Sequence, residues 1–175
     1  MLRLELIALL STPAAARAPL WYRLCTIRTR DSGYRNRFSL PVRHICGNGG
    51  SRSWYMGAVA IGSRAYLAPH SADNVGVVDV SSGTFSTIST LDAGVTGSSK
   101  YVGAVAIGAT VYFAPFDEDS VGVLDTASSA FSTIRLDGVN HGGQNYADAV
   151  AVGTTVYMAP WNQDGVGVLD TVTSM

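Results

Sequence analysis

The sequence predicts an all-β protein built of β-propeller blades, each of four antiparallel strands, with about 2.5–3 blades present. Three observations predict it. Tyr101–Thr126, YVGAVAIGATVYFAPFDEDSVGVLDT, recurs at Tyr146–Thr171 as YADAVAVGTTVYMAPWNQDGVGVLDT, identical at 17 of 26 positions without a gap. Tyr55–Val80, YMGAVAIGSRAYLAPHSADNVGVVDV, falls into the same register, at offsets of 46 and 45 residues. A fixed period of that length marks a repeat architecture. Each copy also divides into short Val-, Tyr- and Ile-rich runs separated by Gly-, Pro- and Ser-containing turns, which favours strands over helices.

The elements follow in order. The first strand of each copy is expected at Ala58–Ile61, Ala104–Ile107 and Ala149–Val152, closed by Gly62, Gly108 or Gly153, which permits a tight turn. The second carries Tyr66, Tyr112 or Tyr157 and ends at Pro69, Pro115 or Pro160, because proline cannot donate to a ladder. Polar turns follow at Ser71–Asn74, Asp117–Ser120 and Asn162–Gly165. The third strand is expected at Val75–Val80, Val121–Thr126 and Val166–Thr171, and the fourth at Thr84–Ile88 and Ala130–Ile134. On the second strand Tyr112 and Ala114 point one way, Val111 and Phe113 the other, and both sets are apolar. A strand apolar on both faces is covered on both, so each sheet is expected to lie between neighbours.

The domain reading is 1–30 as an Arg-rich leader or irregular extension, 31–54 as a worn end of a preceding blade, and 55–175 as repeats, divided 55–100, 101–145 and 146–175. Four blades need about 180 residues, whereas 55–175 supplies 121. The expectation is an arc, part of a larger propeller or one that assembles with others. Its open edges and uncovered faces would favour self-association.

Charge separates the two ends. Residues 1–53 hold nine Arg against Glu5 and Asp31, while 54–175 holds three basic residues against eleven acids, so the repeats are near −8. An acidic repeat region argues against nucleic acid, which needs clustered Lys and Arg. No apolar run is long enough for a transmembrane segment. The first residues, MLRLELIALLSTPAAARA, fit a secretory signal or organellar transit sequence imperfectly, because Glu5 interrupts the apolar run. A secreted or organellar location and a cytoplasmic one both stay open, as does a disulfide between Cys25 and Cys46.

The phrase VYFAP…VGVLDT…FSTI resembles the repeats of YVTN and NHL-like propellers, whose architecture is of the kelch and WD40 class. The Gly-His…Trp-Asp pair, and the double glycine followed by spaced Tyr and Trp of kelch, which would place it in those two groups, are missing from the repeat. The resemblance covers about 120 residues and implies a binding, scaffolding or display role.

The candidate sites rest on the repeat. Asp73, Asp119 and Asp164 share one place, read as a hairpin turn in which Asp bonds its own backbone and the next residue tolerates positive φ. Asp117, Glu118 and Asp119 are a weak Ca²⁺ candidate, since Ca²⁺ takes several oxygens. Asp79, Asp125 and Asp170 end the third strand and are read as turn-closing, and the second-strand tyrosines as core. The position after Ala-Pro changes chemistry while its surroundings stay constant: His70, Phe116, Trp161. In an antiparallel blade this turn and the connection to the next blade open on one face, so His141 in Leu136–Asn145 is expected on the same rim. Variable large side chains on a constant scaffold mark a binding face. His44, His70 and His141 have no metal spacing, and neither a resident metal nor a cofactor is expected. The reading is a non-enzymatic module binding an unidentified protein or small molecule. One alternative is part of a lactonase- or quinoprotein-like propeller enzyme with a channel metal or cofactor; another is a partial gene product without independent function.

Overall fold

A computed structural model describes residues 54–136 and 142–173. The expected leader, the worn blade end at 31–54 (all but Trp54), both cysteines and His141 lie outside them.

Three antiparallel sheets follow one another along the chain. The first is β1 (Tyr55–Ile61), β2 (Arg64–Pro69), β3 (Asn74–Asp79) and β4 (Thr84–Ser89). The second is β5 (Tyr101–Ile107), β6 (Thr110–Pro115), β7 (Ser120–Asp125) and β8 (Ala130–Arg135). The third is β9 (Tyr146–Val152), β10 (Thr155–Pro160) and β11 (Gly167–Asp170). Strand order is sequence order in each, and none of the sheets closes into a barrel. The all-β expectation of four-stranded blades in a partial propeller therefore describes the architecture.

One expectation needs correction. The first strands begin three residues before Ala58, Ala104 and Ala149, at Tyr55, Tyr101 and Tyr146. They run through a bulge: in β1 the register shifts between Tyr55 and Ala58, where Gly57 has φ +90°, and β5 repeats this at Gly103 with φ +82°. Alternation fails across a bulge, which hid the start of the strand. The glycines have a second reason. A Cβ at Gly57 would stand 2.6 Å from the Gly103 Cα, because β1 and β5 meet backbone to backbone. At Gly103 a Cβ would run into Asp148, the same position in β9.

The core is two sandwiched layers. Tyr66, Ala68, Val75 and Val77 of the first sheet pack against Val111, Phe113, Leu124 and Tyr101 of the second. Tyr112, Ala114 and Val121 on the other face of the second pack against Val156, Met158 and Leu169 of the third. The alternation of Tyr112 against Phe113 thus assigns the two faces as expected. The repeated Gly76, Gly122 and Gly167 make room for a ring: a Cβ at Gly122 would lie 3.0 Å from the Tyr101 Cζ and 2.9 Å from the Phe131 Cζ.

The third sheet departs from the expectation that both faces of every strand are covered. Tyr66 and Tyr112 are 3% and 6% exposed, but Tyr157 is 37% exposed. Val75 and Val121 are fully enclosed, while their counterpart Val166 is 59% exposed. Tyr157 is therefore a surface residue, because no further sheet among the described residues lies on its side.

Candidate functional site

The Ala-Pro that ends each second strand fixes the direction in which the next side chain leaves the sheet. The three rings that follow, on separate sheets, come together as a ladder. The His70 and Phe116 ring centres are 6.4 Å apart, tilted at 44°; Phe116 and Trp161 are 6.3 Å apart at 63°, edge to face. Contacts of this kind contribute about 0.5–1.5 kcal/mol each. His70 and Phe116 are half-buried, and Trp161 is 63% exposed at the end of the row.

A continuous set of main-chain hydrogen bonds stands behind the ladder. The Lys100 N–H donates to the His70 carbonyl at 2.9 Å, and the Phe116 N–H donates to the Lys100 carbonyl at 2.8 Å. The Asn145 N–H then donates to the Phe116 carbonyl at 2.6 Å, and the Trp161 N–H to the Asn145 carbonyl at 2.9 Å. At the near end the Trp54 carbonyl accepts from the His70 N–H at 3.0 Å. Lys100 and Asn145, each just before a first strand, thus tie the ring-bearing residue of their own sheet to that of the sheet before.

Sequence reasoning missed these linkers. Lys100 is 1% exposed; its ammonium donates to the Gly97 carbonyl at 2.6 Å and to the Asp73 carboxylate at 3.2 Å. Asn145 is fully buried, donating through Nδ2 to the Glu118 carbonyl and accepting from Gln163 Nε2 at 2.7 Å. Just ahead of them Ser99 and Gln144 sit at φ +59° and +55°, a conformation costly for residues with a Cβ. Their carbonyls accept from the Asp117 and Asn162 N–H groups at 2.9 and 3.0 Å. The buried position of Lys100 could have been found from its being the one lysine of the chain, set beside a repeat Tyr. Nothing marked Ser99 or Gln144, since neither is a residue that favours positive φ strongly.

The acidic residues on the rim do structural work. Asp117 accepts from the Gln144 N–H at 2.8 Å, closing the third-sheet connection onto the second sheet. Glu118 has its pKa pushed up, so it is a weaker acid than usual, first by burial, with Lys100 opposing and Asp119 and Asp117 adding. Among the described residues no group of three or more His, Cys, Asp or Glu is placed to hold a metal ion. At the turns of Asp73, Asp119 and Asp164 the next residues, Asn74, Ser120 and Gly165, stay outside the positive-φ region. The main-chain carbonyls are what recur, Asp73 accepting from the Thr90 N–H and Asp119 from the Leu136 N–H.

At the opposite end of the strands Asp79, Asp125 and Asp170 each fold back on the following turn. They accept from Ser81 N–H at 3.0 Å, Ala127 N–H at 2.9 Å and Val172 N–H at 3.0 Å. The Ser81 hydroxyl, then the Ser82 N–H, hold the Asp79 carboxyl down to about 2. Arg64 pairs with Asp79 at 3.3 Å beside a cleft of about 400 Å³ between the first and second sheets. That cleft is lined by hydroxyls, among them Thr84, Ser86 and Thr126, and is remote from the ring ladder.

No helix among the described residues is long and apolar enough to cross a membrane. No protein-family model matches the chain, and no curated protein matches it. Among solved structures the chain is similar to Kuenenia stuttgartiensis hydrazine synthase, a β-propeller-containing protein, at 17% identity and a TM-score of 0.53. The match covers 78% of this chain and 37% of that one, so the chain spans little more than a third of its length. An S. cerevisiae assembly of dbp5 bound to nup159, gle1, IP6 and ADP matches at 10% identity and a TM-score of 0.37, over 63% of this chain and 28% of that one. The first likeness, with the three sheets, places the chain in a propeller-like fold and goes no further.

Proposed function

We propose that the chain is a non-enzymatic, propeller-type binding module that takes a protein or small-molecule partner on the rim carrying His70, Phe116 and Trp161. The observation that carries this reading is the ring ladder itself. Three chemically different rings occupy one repeat position, and a main-chain relay fixes their spacing across three sheets. A rigid row ending in an exposed Trp161 meets a partner with little ordering cost, since the scaffold is already in place. Aromatic anchors on a pre-formed surface are the residues in which interfaces concentrate their energy.

The test is a quantitative pull-down from the source proteome and metabolite pool. Wild-type bait is compared with Trp161→Ala and with His70→Ala/Phe116→Ala/Trp161→Ala. The reading expects a defined set of partners lost by both variants while folding is retained. Retention of every partner by the triple variant would contradict it.

A further inference from the structure

We propose that the uncovered face of the third sheet docks the first sheet of a second copy of this chain, continuing the repeat head to tail. The face is apolar and large: Val150, Val152, Tyr157, Val166 and Val168 are 37% to 64% exposed. What covers such a face is visible twice within the chain. The equivalent face of the first sheet lies under Val111, Phe113 and Leu124 of the second. That of the second lies under Val156, Met158 and Leu169 of the third. The residues holding these places in the first sheet are Ala65, Leu67 and Val78, all apolar and all only half-buried. One copy therefore carries both halves of an interface that its own sheets form twice, and joining them continues an existing contact.

A head-to-tail contact uses different surfaces on the two partners, so it either closes a ring or grows. Two copies contribute about six sheets, within the usual range of a closed propeller. One residue works against the contact. Gly57 and Gly103 are glycine where the next sheet's first strand presses on them, but their counterpart in the third sheet is Asp148. Its carboxylate lies against Gly103 of the second sheet, and the position lacks the positive φ with which Gly57 and Gly103 receive the next first strand. The docking is therefore weaker than the contacts inside the chain, and adjustable at one position.

The experiment is sedimentation velocity on the full-length chain over a wide concentration range, with benzoylphenylalanine at position 157 to identify the neighbour. The proposal expects a concentration-dependent dimer or larger species and a cross-link into the segment Arg64–Ser89 of another copy. Tyr157→Glu and, separately, Val168→Lys shift the protein to the mass of one chain, both positions being exposed. Asp148→Gly moves the association midpoint to lower concentration, which a nonspecific sticky surface would not do. His70→Ala/Phe116→Ala/Trp161→Ala leaves association unchanged, separating this inference from rim binding. A protein that stays monomeric throughout, or a cross-link from position 157 into residues 1–53 of its own chain, would overturn the proposal.

Discussion

The ring of Tyr101 lies directly on Gly122, two strands away in the same sheet, so close that a methyl group at Gly122 would stand 3.0 Å from the Tyr101 Cζ. The recurring Val-Gly-Val of the third strand and the recurring Tyr of the first are thus one feature. Phe131 closes the other side at 2.9 Å. Gly122→Ala should destabilise the chain by about 1–3 kcal/mol through overpacking. Adding Phe131→Leu should return part of that loss, because the two sites share the space. Urea midpoints of the single and double variants measure the coupling; strictly additive losses would show that the ring does not need the glycine.

The repeat supplies its own control for a buried hydroxyl. Tyr55 donates to Asn74 at 2.6 Å. At the same place in the second sheet Tyr101 is fully buried and its hydroxyl makes no well-formed hydrogen bond among the described residues, Ser120 standing where the first sheet has Asn74. Ser120→Asn should add about 1 kcal/mol to stability by supplying the partner. Tyr101→Phe should be near neutral, whereas Tyr55→Phe should cost about 1 kcal/mol. Thermal melts of the three variants settle the order.

Lys100, itself buried, makes a charged hydrogen bond to the carbonyl of Gly97. Lys100→Met keeps the stem's packing but strips the Gly97 carbonyl of its donor, and should cost about 1.5–3 kcal/mol. The main-chain bonds to His70 and Phe116 do not involve the side chain. Rim binding by the folded variant should therefore be unchanged, which isothermal titration with an identified partner would check.

The turn carboxylates give the pH dependence a definite sign. Asp79 is held down to about 2 and Asp125 is held down by the Ser128 hydroxyl, then the Ala127 N–H. Both folded values lie below the unfolded value of about 3.9. Their contribution is present above that pH and is lost as pH falls towards about 2. The melting temperature should fall across that window, and Asp79→Asn/Asp125→Asn should flatten the fall. Melts of both proteins from neutral pH downwards measure it; an equally steep fall in the variant would remove these residues from the account.

Much of the fold was legible because repetition let one copy check another. The Pro-terminated second strands, the face assignment of Tyr112 against Phe113, and the shared rim of His70, Phe116 and Trp161 all followed from register. What escaped did so for physical reasons. The bulges at Gly57 and Gly103 break the alternation on which a strand start is read. The exposure of Tyr157 depends on what lies beyond its sheet, which its own sequence does not encode. Lys100 and Asn145 join the sheets through their main-chain groups, and those are the same for any residue but proline.

The rim is held rigid by main-chain bonds that run from sheet to sheet behind the rings. Amide hydrogen exchange at Lys100, Phe116, Asn145 and Trp161 tests it most directly, since all four N–H groups lie in connections where free amides exchange quickly. All four should be protected as strongly as the amides of β5 and β6. Rapid exchange at Lys100 and Asn145, with the strands still protected, would contradict it.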